Sequence, residues 1–102
     1  MAKGFLYLYS GGSAPQDEAS GKAMMDAWVA YFRKLGSAIV DGGAPFAPGS
    51  KTIGGAPLSK ATGYSIIQTD SLATAVALTE GHPHLAYGGG IEVFELVDMG
   101  GP

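Results

Sequence analysis

The chain has 102 residues, of which 46% are hydrophobic, 10% aromatic and 15% charged, a balance that suits one compact domain and excludes disorder as the overall state. A net charge of −3 supplies no phosphate-neutralising field, so neither nucleic acid nor an anionic membrane is an expected partner. The absence of cysteine rules out a disulfide framework, a thiolate nucleophile and Cys-ligated metal. Residues 5–9, aromatic and aliphatic and closed by Ser10-Gly11-Gly12, read as a first strand. That run is shorter than the roughly 7 to 15 apolar residues of an export signal. No stretch approaches the roughly 18 to 20 of a membrane span, so a cytoplasmic protein is the expectation. Ser13-Ala14-Pro15-Gln16 resembles a capping box with an early proline, followed by Asp17 and Glu18 where a helix N-terminus favours negative charge. Met24, Trp28, Tyr31 and Leu35 then form an apolar helical stripe that ends at Gly36, with Gly21 as a possible break.

Residues 38–40 make a short second strand. The loop over residues 42–57, with Pro45, Pro48 and Pro57, is long for so small a domain, and such loops line a site or form a hairpin tip. Residues 64–69 make a third strand. Asp70 or Ser71 caps a second helix with the stripe Leu72, Ala75, Val76 and Leu78, which Gly81 and Pro83 terminate. Residues 91–97 form the fourth strand, and residues 100–102 are expected to fray. The order βαββαβ within a single domain, residues 1–102, argues for an α+β ferredoxin-like sandwich: an antiparallel four-stranded sheet with both helices on one face.

The strands are apolar on both faces. Phe5, Tyr7 and Tyr9 point one way while Leu6 and Leu8 point the other, and Ile66 with Ile67 and Val93 with Phe94 repeat the pattern. A sheet with one solvated face should carry polar residues at every second position. The face without helices therefore needs a cover, and the same face of a second copy supplies one, which predicts a twofold homodimer.

His82-Pro83-His84 is the most chemically suggestive triplet. Proline extends the backbone before it, so both imidazoles can reach one side as acid–base groups or ligand contacts. The alternative is that one ring closes the helix end and the other packs at the turn. A metal would need a third ligand from Asp70, Glu80 or Glu92, and neither metal nor cofactor is expected. Trp28 and the tyrosines Tyr7, Tyr9, Tyr31, Tyr64 and Tyr87 can wall a pocket between helix and sheet for a small organic ligand or simply pack the core. Asp41, before Gly42-Gly43, either orients a histidine or bonds local backbone N–H groups in a turn. Gly49-Ser50-Lys51-Thr52 departs from a phosphate loop, and Gly88-Gly89-Gly90 precedes a strand where a dinucleotide fingerprint would follow one.

From Gly63-Tyr64-Ser65-Ile66-Ile67 through Asp70-Ser71-Leu72 to Gly81-His82-Pro83-His84-Leu85 and Gly89-Gly90-Ile91-Glu92-Val93, the chain resembles the YCII-related family. Trp28 and the turn from Leu35-Gly36 into Val40-Asp41-Gly42-Gly43 look like that family's first helix and the turn after it. The resemblance implies the dimeric α+β barrel superfamily. Some YCII-like proteins carry a His–Asp pair with the histidine in the first helix region; residues 14–36 here contain none, His82 and His84 follow the second helix, and Asp41 stands for the acidic member. The expected function is a homodimeric small-molecule-binding protein with its pocket beside the sheet, closed by the 42–57 loop. By resemblance it would be a cofactor-independent enzyme in which His82, His84 and Asp41 handle protons while Tyr7, Trp28 and Tyr64 form the wall. The competing expectation is a non-catalytic binding or protein-assembly module. An enclosed cavity reached by a histidine and a carboxylate favours the enzyme, and a filled interior favours the module.

Overall fold

The computed structural model describes residues 2–55 and 59–98. Strand β1 (Lys3–Gly11) runs through its centre, with Phe5, Tyr7 and Tyr9 buried and Leu6 and Leu8 half-buried on the opposite face. This alternation is what a pleated strand imposes on neighbouring side chains. Helix α1 (Glu18–Leu35) lays its stripe on the first of those faces, burying Tyr31 and Leu35 and packing Trp28 and Phe32 against the same core. Gly36, at φ +55°, closes the helix before a single 3₁₀ turn, and β2 (Ile39–Pro45) follows. Strand β3 (Ala61–Thr69) returns antiparallel to β2. Helices α2 (Leu72–Ala77) and α3 (Pro83–Ala86) then lead into β4 (Gly89–Glu95).

The strands form one antiparallel sheet in the order β2-β3-β1-β4. Among the described residues the molecule is thus α+β, a four-stranded antiparallel sheet with three α-helices, and is compatible with a ferredoxin-like sandwich. Phe5, Tyr7, Tyr9, Tyr31, Leu35, Ile67 and Ala75 make the core. Burying each large apolar side chain contributes about 1.5–3 kcal/mol. The phenols also carry polar load. Tyr7 donates to the carbonyl of Ala75 and Tyr31 to that of Leu78 at 2.7 Å, so the short α2 has carbonyls at its C-terminal end satisfied by the core beneath it. Burial pushes the Tyr7 hydroxyl up to about 12 and raises that of Tyr31 as well.

Several boundaries differ from expectation. Helix α1 starts at Glu18, not in the Ser13–Gln16 segment: the Asp17 carboxylate accepts from Ser20 N–H at 2.7 Å, while Ser13 N–H is taken by the carbonyl of Tyr87 at 2.9 Å. With its amide bound to another element, Ser13 is held outside the helix. Gly21 does not break α1, and its Cα faces Pro15, to which an added Cβ would come within 3.7 Å. Strand β2 extends to Pro45 through irregular pairing at Asp41–Ala44, and β3 begins at Ala61, so residues 42–45 of the expected loop belong to the sheet. Ser71, not Asp70, caps α2, accepting from Thr74 N–H at 3.1 Å. Helix α3 is an additional turn. It forms because Gly81 at φ +78° ends the preceding turns, and Pro83 then sits at the first helical position, where a missing N–H costs nothing. Strand β4 starts two residues earlier and ends at Glu95. Pro57 and the fraying expected of residues 100–102 lie outside the described residues. No helix among the described residues is long and apolar enough to cross a membrane.

Candidate functional site

The two histidines are positioned by the α3 turn, and the direction of each hydrogen bond settles their tautomers. His82 is fully buried, and its Nδ1 accepts from the backbone N–H of His84 at 3.1 Å. The neutral ring must therefore carry its proton on Nε2. Nε2–H donates to the Tyr9 hydroxyl at 3.0 Å, Tyr9 donates to Ser65 Oγ at 2.7 Å, and Ser65 donates to the carbonyl of Gly42 at 2.8 Å. One directed chain thus joins α3, β1, β3 and β2 across the sheet. Around His82, Tyr31 lies at 4.3 Å between ring centroids, Trp28 edge-on at 4.8 Å and Tyr9 at 5.1 Å. Burial among these rings, with His84 nearby, lowers the His82 pKa to about 4, so it is neutral at physiological pH. Burial likewise pushes the Tyr9 hydroxyl up to about 12.

His84 is only half-buried. A carbonyl can only accept, so the 2.8 Å contact between its Nε2 and the carbonyl of Ser10 requires a proton on Nε2, and in the neutral ring Nδ1 then carries the lone pair. Its ring tilts against Tyr9 at 5.1 Å.

Next to this network, between α1, the segment after β1 and the β2–β3 edge, lies an open cavity of about 790 Å³. Small-molecule sites span roughly 300–1,000 Å³. Its walls are Trp28, Phe32, Met24 and Met25 from α1, Pro15, and Ala44 to Phe46 from β2 and just beyond. Tyr9 and His84 contribute the polar side, with Thr62, Tyr64 and Tyr87 at other points of the lining. No Asp, Glu, Lys or Arg among the described residues lines it.

Of the residues singled out from sequence, Tyr9, Trp28, Tyr64, His84 and Tyr87 meet at this cavity, and Tyr31 is buried in the core. Tyr7 is fully buried in the core, and His82 sits behind Tyr9 and Trp28; neither is part of the lining. Asp41 is exposed and bonds locally, accepting from Gly43 N–H at 2.8 Å and, at a long 3.4 Å, from the Tyr64 hydroxyl. No hydrogen bond joins it to either histidine among the described residues. The cavity wall takes residues 42–46 of the predicted closing loop, most of them belonging to β2. Among the described residues no cluster of three or more His, Asp or Glu side chains is placed to hold a metal.

Ser65 and the Gly42 carbonyl, which complete the hydrogen-bonded chain, escaped the reading of the sequence. A signal for Ser65 existed: it alternates with Gly63 and Ile67 on the inward face of β3, and a serine there must find a partner. Nothing local points to Gly12 or Met25, which join the wall only through the path of the segment after β1 and the rotation of α1. No family model and no curated protein matches the chain.

Proposed function

We propose that the chain is a homodimeric small-molecule-binding protein of the YCII-related, dimeric α+β barrel type, which holds an uncharged organic ligand in the cavity beside α1. The observation that carries this reading is a cavity of ligand size whose walls are aromatic, Met, Pro and Gly, with no charged side chain among the described residues. An ionic ligand would find no counter-charge there and would lose its hydration. An uncharged, flat molecule meets matching surface. The cavity speaks against a purely structural assembly module. A His/Asp acid–base pair has less support than a binding role, because Asp41 is engaged with Gly43 and only His84 of the two histidines lines the cavity.

Thermal-shift screening against uncharged aromatic metabolites tests the binding role. A ligand at a hundred times its dissociation constant should add about 2.7 kcal/mol to stability, and its binding should displace the Trp28 indole resonance. A panel in which no compound shifts either signal would remove the basis for the reading.

The homodimer is supported by the sheet face turned away from the helices. On it Leu6 pairs with Ile66 on one side and Phe94 on the other, and Leu8 pairs with Tyr64 and Glu92. Phe94 and Leu96 are 42% and 40% exposed in the single chain, too much apolar surface in one patch for a solvated sheet. A twofold axis would set each patch against its copy. Sedimentation at micromolar concentration should give a dimer, and Ile66→Lys, which puts a charge at the centre of the patch, should give a monomer that is still folded. A monomeric parent protein would overturn the homodimer and leave the cavity reading standing.

A further inference from the structure

We propose that the ligand carries a hydroxyl donor, phenolic or enolic, on an otherwise apolar frame, and that His84 Nδ1 is the acceptor that recognises it. This inference rests on the reading of the cavity as a ligand site and adds the chemical class of what fills it.

The hydrogen-bond inventory of the cavity leads there. The Tyr9 proton is committed to Ser65 and its oxygen already accepts from His82. Tyr64 donates to Asp41, and Thr62 Oγ1 donates to the carbonyl of Tyr9 at 3.4 Å. The Ser13 and Tyr87 hydroxyls, also in the lining, can turn to donate or accept, whereas His84 Nδ1 can only accept: among the described residues nothing donates to it, and the Ser10 carbonyl on Nε2–H both orients the ring and makes Nδ1 a stronger acceptor.

Two glycines hold the ring in place and leave that nitrogen reachable. A Cβ on Gly89 would sit 2.1 Å from His84 Nε2, so only a residue without a side chain lets the imidazole lie against the start of β4. Gly12, in the cavity wall at φ +91°, has its would-be Cβ 3.0 Å from Cε1 and 3.4 Å from Nδ1, so any larger residue would crowd the approach to the lone pair. A carboxylate ligand offers no proton to Nδ1 when ionised, and an ammonium would lack a counter-charge in this lining. A neutral O–H satisfies both conditions, and an acidic one, phenolic or enolic, forms the stronger bond to imidazole.

The probes that test this are 2-naphthol and its methyl ether, 2-methoxynaphthalene, which match in shape and differ in the donor. Binding is followed by the indole N–H resonance of Trp28, the chain's one tryptophan. The full chain should bind the naphthol about tenfold more tightly than the ether, the worth of one good hydrogen bond. His84→Phe, which keeps a ring against Tyr9, should bind both equally. In the parent protein, the nitrogen-15 shift of His84 Nδ1 should move with the naphthol and stay with the ether, a readout that needs no variant. Equal affinities in the parent protein, a preference that survives in His84→Phe, or an Nδ1 shift indifferent to the naphthol would overturn the inference while leaving the cavity as a binding site. If neither probe moves Trp28, the cavity reading fails and this inference with it.

Discussion

Replacing Gly43 by alanine should destabilise the protein by about 3–5 kcal/mol, read as a fall in the urea midpoint at neutral pH. Gly43 lies in β2 at φ +73°, and a Cβ there would stand 1.7 Å from the carbonyl oxygen of Tyr64 and 2.6 Å from its carbonyl carbon. Both obstacles are backbone, so no rotamer change relieves the overlap. β2 must move away from β3, and the pairing of Ala44 with Tyr64 goes with it. That movement also pulls the Gly42 carbonyl from Ser65 and opens the cavity edge. Gly36→Ala is the control. Gly36 has φ +55° and ψ −124° and nothing within 4 Å of its would-be Cβ, so this change should cost only backbone strain, about 1–3 kcal/mol. Equal losses in the two variants would show that β2 and β3 do not approach as closely as described.

His82→Ala should cost a similar amount, about 3–5 kcal/mol, by a different route. It empties a space enclosed by Tyr7, Tyr9, Trp28 and Tyr31, removes the acceptor for His84 N–H, and takes away the donor to the Tyr9 oxygen. The same residue sets an acid limit on the fold. Its folded-state pKa, near 4, lies below the ordinary 6.5, so above pH 6.5 the ring is neutral in both folded and unfolded chains and stability does not depend on it. Below 6.5 the unfolded chain takes up the proton first. Stability should therefore fall as pH drops from about 6.5 towards 4 and level off beneath that, by up to about 3 kcal/mol in all. Protonation would also put a hydrogen on Nδ1, facing the His84 N–H that it now accepts. Denaturation measured every half pH unit should show this slope in the parent protein and lose most of it in His82→Ala. A slope unchanged by the substitution would mean that other groups govern acid unfolding and that His82 is not held neutral.

Most of the elements were legible in the chain because their causes are local. The alternation of residues 5–9 buries Phe5, Tyr7 and Tyr9 as expected, and the stripe ending in Tyr31 and Leu35 faces the core. The start of α1 is not fixed locally because Ser13 and Asp17 are both good caps, and a bond from Ser13 N–H to the carbonyl of Tyr87, far along the chain, decides between them. The second strand runs past the end its sequence suggests because Gly42-Gly43, a pair that ordinarily marks a turn, here accommodates a bulge. The candidate site was legible only in part. Trp28, Tyr64 and His84 come together at the cavity, while Asp41 turns to its own loop.

What the residues alone determined is the alternation of strand and helix, the face each element buries, and a composition of 15% charged and 10% aromatic residues from which a pocket can be built. Tertiary structure decided which histidine is sealed and which keeps a lone pair beside the cavity. The physical reason is range. Periodicity and capping act over a few residues, and the His84 N–H two positions on already fixes the His82 tautomer, but the group that receives the Nε2 proton is Tyr9, 73 positions away, and Tyr9 donates in turn to Ser65, 56 positions away. A proton's location depends on its partners in space, and only folding brings those partners within bonding distance.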